Sequence, residues 1–260
     1  MKNPLIEFIV GERNRYVNND NNRFAESFWR VTHYMGYLEI IVQRYSNLSI
    51  AWHQNRKKFE NYHKHSTKES LEKDMILLPG GGRINPIVIS LFEEGEQVEG
   101  QIQLEIESFY LFATILLDNL ARAIIRYFGA TKMKKMPLNS HRSLTKNFSI
   151  YAKEKGIDLS NDLIKKAQEL DDEILEFRIK QISHFKDADK NIYSSRMTLL
   201  DENGKYLKMR IIRFYSETKR EEISSKKLDE LLNKIINYTK LVTQMMRKNN
   251  YLSTYRLLTS

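Results

Sequence analysis

The chain has 260 residues, no cysteine and a formal net charge of +9, with a sequence pI near 9.4. The absence of cysteine excludes a disulfide framework and every Cys-ligated zinc or iron–sulfur site, and it fits a reducing cytosol. With 41% hydrophobic and 29% charged residues the composition is that of a globular chain, and the basic balance favours a polyanionic partner: nucleic acid, an anionic membrane surface or an acidic protein.

The N-terminus is broken by Glu7 and followed by Glu12 and Arg13, which makes a poor signal peptide. The first helical pattern runs Phe24, Phe28, Val31, Met35, Leu38, Val42, Tyr45 in steps of four and three. Through Leu48, Trp52, Phe59 and Tyr62 it extends into one long helix or two joined ones. Residues 66–100 are then punctuated by Pro79-Gly80-Gly81-Gly82, Asn85-Pro86 and Gly95, with Ile87-Val88-Ile89 as a short strand. From Gln101 to Tyr127 the pattern is apolar nearly all round, which predicts a central bundle helix with Gly129 as its C-terminal cap. The most apolar run, Phe109 to Leu117, stops at Asp118, short of a membrane span. The expected location is cytoplasmic.

A shorter helix is expected over Arg142 to Lys153. Ser160 is a good N-cap for the next, whose stripe is Leu163, Ala167, Leu170, Ile174, Phe177. Ser194–Leu200 and Lys205–Phe214 flank Asp201-Glu202-Asn203-Gly204, a hairpin signal. A last helix spans Lys226 to Lys248, with Leu228, Leu231, Leu232, Ile235, Val242 and Met245 inward. The predicted fold class is all-α: a bundle of four to six helices with one inserted β-hairpin.

The helix opened by Ser160 ends Glu176-Phe-Arg-Ile-Lys-Gln-Ile-Ser-His-Phe-Lys-Asp187. His184 lies seven residues after Phe177, within about 20° of the inward stripe at 100° per residue. Arg178 is one turn beyond Ile174, at the edge of the same stripe. A histidine stands where a hydrophobe was due, beside an arginine, and neither is readily buried unpaired. A satisfied core histidine and a functional pair are both open readings of this spacing.

Arg178-x5-His184 resembles the Arg-x(4–6)-His motif of the HEPN superfamily of α-helical ribonucleases. The likeness extends to its surroundings: an apolar helix with an internal carboxylate, Asp118; a polar stretch Ser140-His141-Arg142-Ser143-Leu144; an acidic Asp171-Asp172-Glu173 before the motif; and a closing helix. It covers about residues 101–250, with residues 1–100 as an N-terminal helical extension on the same core. The resemblance implies metal-independent cleavage of RNA. The 2′-OH attacks, Arg178 and His184 are the catalytic residues, the products are a 2′,3′-cyclic phosphate and a 5′-hydroxyl, and two motif helices pair across a homodimer. Histidine moves protons near neutrality, and the arginine fork suits two non-bridging phosphate oxygens. No cofactor or metal is expected. Many active members carry a polar residue directly after the arginine. Here it is Ile179, which fits the non-catalytic HEPN modules that bind a nucleotide, an RNA or a partner protein.

Between Asp118 and Glu154 there is no acidic residue, whereas Arg122, Arg126, Lys132, Lys134, Lys135, Arg142, Lys146 and Lys153 occur. Tyr127, Phe128, Phe148 and Tyr151 are interleaved, either as stacking faces for unpaired bases or as core. The hairpin adds Lys205, Lys208, Arg210 and Arg213, with Lys208 and Arg210 opposite Leu207, Met209 and Ile211. The expected RNA contacts are Lys132, Lys134, Lys135, Arg142, Lys146, Lys208 and Arg210. Asp118, inside an apolar helix, needs a partner. It either holds Arg178 or His184 or pairs with Arg122. His63-x-His65 lacks carboxylates to complete a metal shell, and Pro79-Gly-Gly-Gly-Arg83 lacks the Gly-Lys-Ser/Thr ending of a P-loop.

Overall fold

The computed structural model describes residues 7–8, 23–65, 76–77, 83–131, 140–175, 192–200, 206–216, 219–222 and 227–254. In the strands and at some helix ends it describes backbone alone. The protein is predominantly helical. Five α-helices are found among the described residues: α1 (Arg23–His65), α2 (Pro86–Phe128), α3 (His141–Lys155), α4 (Asn161–Leu170) and α5 (Lys227–Lys248). Strand backbone occurs as the antiparallel pair β1 (Ile76–Leu77) and β2 (Arg83–Ile84), and as β3 (Ile192–Leu200), β4 (Tyr206–Ser216) and β5 (Lys219–Glu222), antiparallel in that order.

Two compact units divide the chain. One comprises residues 1–42, 108–182 and 229–260, the other 43–107 and 183–228, so α1 and α2 contribute to both. In the first unit the expected α1 stripe is inward: Phe24, Phe28, Val31, Met35 and Leu38 are buried. Phe28 stacks between Phe8 and Phe24, with centroids at 5.3 and 4.7 Å, and Tyr127 of α2 lies 5.0 Å from Phe24. Leu116, Leu117, Leu120 and Ile124 of α2 complete this core with Leu144 and Phe148 of α3, Leu163 and Ala167 of α4, and Ile235 and Val242 of α5.

In the second unit α1 and α2 run antiparallel, with Tyr45, Trp52, Ile102 and Ile106 buried and several polar contacts between the helices. Trp52 Nε1 donates to Glu99 Oε1 at 3.3 Å, and Asn55 Nδ2 donates to the Leu91 carbonyl at 3.0 Å. Lys58 pairs with Glu94, and Phe59 packs on Val88 with Tyr62 and Leu91 around them.

Local signals explain most boundaries. Ser160 Oγ accepts from the Leu163 amide, so the expected N-cap is in place. Ser140 Oγ likewise accepts from Ser143 N. Gly129 follows the last residue of α2 at φ 87°, the left-handed geometry that suits glycine at a helix C-terminus. α1 is one continuous helix rather than two.

The start of α2 corrects the expectation. Ile87-Val88-Ile89 is helical, not a strand, because Pro86 opens the helix with a preset φ and no amide to satisfy, and Asn85 caps it. Asn85 Oδ1 accepts from Ile87 N at 2.8 Å. The helix runs on through Gly95. Its apolar content is correspondingly longer than the Phe109–Leu117 run suggests. By length and composition alone α2 is a candidate membrane span, yet 61% of its most apolar window is buried inside the protein, as in a bundle's core helix.

Candidate functional site

Buried polar side chains in the first unit converge on the N-terminus of α3. Ser140 caps the helix and His141 is its first residue, completely buried. The His141 amide donates to Asp118 Oδ1 at 2.8 Å, so the internal carboxylate of α2 satisfies one of the free N–H groups of the α3 N-terminus. His141 Nε2 lies 3.0 Å from Tyr238 Oη of α5. Its Nδ1 lies 3.4 Å from Thr145 Oγ1 and 3.7 Å from Asp171 Oδ1.

Burial pushes the Tyr238 hydroxyl well above its ordinary range, and the nearby Asp171 carboxylate adds to the shift. The phenol therefore stays protonated. Its hydroxyl can donate to Nε2 of His141, whose Nδ1 faces Thr145 and Asp171. Tyr238, His141 and Asp171 thus bring α5, α3 and the end of α4 together, with a hydrogen bond between the first two and only a 3.7 Å approach between the last two.

Asp171 opens a π-helical turn, Asp171–Leu175, that continues α4. Such turns insert an extra residue into a helix and recur at functional sites. Asp171 is nearly buried. Among the described residues its Oδ1 has no hydrogen-bond partner, while Oδ2 stands 4.0 Å from Nε of the half-exposed Arg142. Arg142 thus has a buried carboxylate beside the base of its guanidinium and about half of its side chain in solvent. Lys146, one turn along α3, is exposed. Chemically this is a rigid polar anchor behind a surface cation, suited to holding an anion. His141 is fully buried, with Asp171 3.7 Å from its Nδ1.

Of the residues singled out in the sequence, Asp118, Arg142 and Lys146 are thus brought to one helix end. Arg178 and His184 lie outside the described residues, as do Lys132, Lys134 and Lys135. Lys208 and Arg210, two apart, share one face of the β4 backbone. The aromatic residues interleaved with the basic tract are not stacking faces. Tyr127, Phe128, Phe148 and Tyr151 are buried, because their spacing matches the inward stripes of α2 and α3. Tyr151 donates to the Gly129 carbonyl at 2.7 Å, tying α3 to the end of α2.

His141, Asp171 and Tyr238 were not predicted as site residues, though each left a sign. His141 heads the stripe His141, Leu144, Phe148, Tyr151, and Tyr238 fills the gap between Ile235 and Val242. Two polar residues at inward positions of different helices are the signal.

No protein-family model matches the chain, and no curated protein or solved structure matches it.

Proposed function

We propose that the protein is a metal-independent endoribonuclease of HEPN type, with residues 101–250 as the HEPN-like domain and residues 1–100 as its helical extension. Arg178 holds the scissile phosphate, His184 moves the proton, and the 2′-OH of the RNA is the nucleophile. The observation that carries this reading is the Arg178-x5-His184 spacing directly downstream of the α4 π-turn, whose Asp171 stands against His141 and Arg142. In this reading the His141–Tyr238 network is a positioning element that fixes the turn preceding the motif. Arg142, Lys146 and the basic tract Lys132, Lys134, Lys135 bind the RNA backbone. The β3–β4 ladder is an inserted hairpin adding Lys208 and Arg210. One Arg–His pair supplies few proton-transfer groups, so the working enzyme is a cytoplasmic homodimer with two motifs at one site.

A second reading is favoured by Ile179: a non-catalytic HEPN-like module that binds RNA, a nucleotide or a partner protein. Incubating the purified protein with total RNA in EDTA separates the two. The nuclease reading expects fragments with cyclic phosphate and 5′-hydroxyl ends. Arg178→Ala and His184→Ala should each slow cleavage about 10²–10⁴-fold with melting unchanged. RNA retention without cleavage selects the binding module, and full activity in the double variant removes these residues from the site.

A further inference from the structure

The outer face of α3 is a row of cations without carboxylates. Arg142, Lys146, Ser149 and Lys153 follow one another in steps of four, three and four, and all are exposed. At 100° per residue they fall within an arc of about 60°, along about 16.5 Å of helix axis. Lys146 and Lys153 have no ion-pair partner among the described residues, and Arg142 reaches only Asp171, at 4.0 Å. Glu154, the one acidic residue of α3, is mostly buried between Thr131 and Lys155. Other helices differ. Arg30 on α1 and Lys165 and Lys166 on α4 each face a carboxylate one turn away.

Arg142 sharpens this. A helix N-terminus carries partial positive charge, so an acid is favoured there and a cation is not. α1, α4 and α5 follow this rule, with Glu26, Asp162 and Asp229 in their first turns. α3 has no acid in its first turn and places Arg142 there instead. Helix stability therefore does not account for Arg142. The amides of this N-terminus are already engaged, that of His141 by Asp118 and that of Ser143 by Ser140. What faces outward is the row of side chains, and a surface that gathers like charge attracts a polyanion.

We infer that the outer face of α3 is a rail for the phosphates of single-stranded RNA, held by charge and indifferent to base sequence. It rests on the proposed function for RNA as the polyanion, and it adds Ser149 and Lys153, the strandedness and the lack of base readout. Geometry selects a single strand. The cations form one row on one helix, whereas recognition of duplex RNA takes contacts across two minor grooves and the phosphates between them, over about 16 base pairs. The same face offers little to read a base. Phe148 and Tyr151 of α3 are buried, so no ring is presented for stacking. Asn147 Nδ2 donates to the Ser143 carbonyl at 2.9 Å, and Ser143 Oγ lies 3.0 Å from Ser140 Oγ, which engages both within the helix. An anionic membrane fits less well. Ile150 is the one large exposed hydrophobe of α3, whereas a helix lying on a bilayer presents a whole apolar face.

The test is equilibrium binding of a 2′-O-methylated oligouridylate across a range of salt concentrations. Without a free 2′-OH the strand offers no nucleophile, so binding is read apart from cleavage. Each phosphate contact to a single strand contributes about 0.7 to the slope of log affinity against log salt. Lys146→Gln/Lys153→Gln should therefore lower the slope by about 1.4, and by the same amount on a methylated oligoadenylate. Lys146→Arg/Lys153→Arg, which keeps the charge, should bind like the wild type. Lys57→Gln/Lys240→Gln removes two exposed lysines on α1 and α5 and should leave the slope unchanged. The single strand should bind more tightly than a duplex of the same length, and thermal melts check that every variant folds. A wild type that does not bind, a slope unmoved by Lys146→Gln/Lys153→Gln, an equal fall in both glutamine variants, or tighter binding of the duplex overturns the inference. So does binding to phosphatidylserine vesicles that depends on Lys146 and Lys153 while the oligouridylate is ignored, which would give the face to a membrane. Cleavage of unmodified RNA by the same samples bears only on the nuclease. A protein that cleaves with its slope unmoved loses the rail alone, and one that binds through α3 without cleaving loses the catalytic assignment alone.

Discussion

α1 and α2 contribute to both units, both halves bury apolar side chains, and polar side-chain contacts between the two helices recur along the second. In the first unit three further helices cover them, and the seam is aromatic and aliphatic: Phe8, Phe24, Phe28 and Tyr127 in mutual contact, with Leu116, Leu117 and Leu120 alongside. Polar groups inside meet at Tyr238, His141 and Asp171. In the second unit the same two helices carry the contacts Trp52–Glu99, Asn55–Leu91, Lys58–Glu94 and Arg44–Glu105 beside the buried Tyr45, Ile102 and Ile106 and a Phe59–Val88 cluster. How deeply a helix pair is covered decides what each contact contributes. Buried contacts draw their stability from removing apolar surface from water, whereas exposed ones such as Lys58–Glu94 are screened by solvent.

The largest test of this contrast is truncation of the cores. Phe28→Ala removes a fully buried ring with aromatic neighbours on two sides and should cost about 3–5 kcal/mol. Phe59→Ala, in a cluster of four side chains, should sit at or below the bottom of that range. Urea unfolding of the two variants measures both. A larger loss for Phe59→Ala would reverse the assignment of the main core to the first unit.

Polar contacts come next. Tyr238→Phe leaves His141 Nε2 without its partner in a sealed environment, a loss of about 1–3 kcal/mol. Lys58→Ala, which breaks an exposed ion pair, should change stability by no more than about 1 kcal/mol, less at high salt. If both cost the same in urea, burial is not what separates the two contacts.

The fold was legible wherever one signal decided an element. Ser160 announced its helix, Gly129 closed α2, and the four-three steps from Phe24 to Tyr45 marked the inward face of α1. Residues 86–100 were misread because Pro86 and Gly95 are breakers in isolation. In context Pro86 sits at the one helical position that tolerates it, and Gly95 makes room for Asn55. The candidate site was harder to see. Asp118 was visible as a carboxylate needing a partner, but that partner is a backbone amide, which no side-chain pattern reveals. The link from His141 to Tyr238 spans 97 residues and exists only once α3 and α5 pack. Arg142 and Lys146 of the basic stretch are exposed, yet the aromatic residues among them went to the core, since periodicity and not neighbourhood decides which way a ring points.

Alkaline pH gives a graded probe of the first unit. Burial raises the Tyr151 hydroxyl, with Glu154 adding to it, and burial with Asp171 raises Tyr238. Both phenols therefore hold their protons in the folded state at a pH where unfolded tyrosine, near 10, has begun to ionise. The folded state then binds more protons than the unfolded one, so stability is intact below pH 10 and falls above it. The loss should reach up to about 1.4 kcal/mol per tyrosine by pH 11. Denaturant unfolding between pH 9 and 11 should show a shallower decline in Tyr151→Phe and Tyr238→Phe than in the wild type. An identical slope in all three would mean that neither hydroxyl is as enclosed as its surroundings indicate.

The smallest expected effects carry the clearest sign, because they set two glycines in neighbouring helices against each other. Replacing either by alanine improves helix propensity by about 1 kcal/mol. At Gly36 a Cβ would meet no atom of the described residues within 4 Å, so Gly36→Ala should stabilise the protein by about 0.5–1 kcal/mol. At Gly95 the new methyl group would press on Asn55 Oδ1. Asn55 is buried and holds the Leu91 carbonyl through its amide nitrogen, so its side chain can retreat only by giving up that bond. Losing about 1–2 kcal/mol there outweighs the propensity gain, and Gly95→Ala should be neutral to destabilising by about 1 kcal/mol. Thermal melts of both variants test this directly. The absence of a gain for Gly36→Ala would mean that helix propensity does not limit α1 there, and a clear gain for Gly95→Ala would mean that Asn55 yields freely.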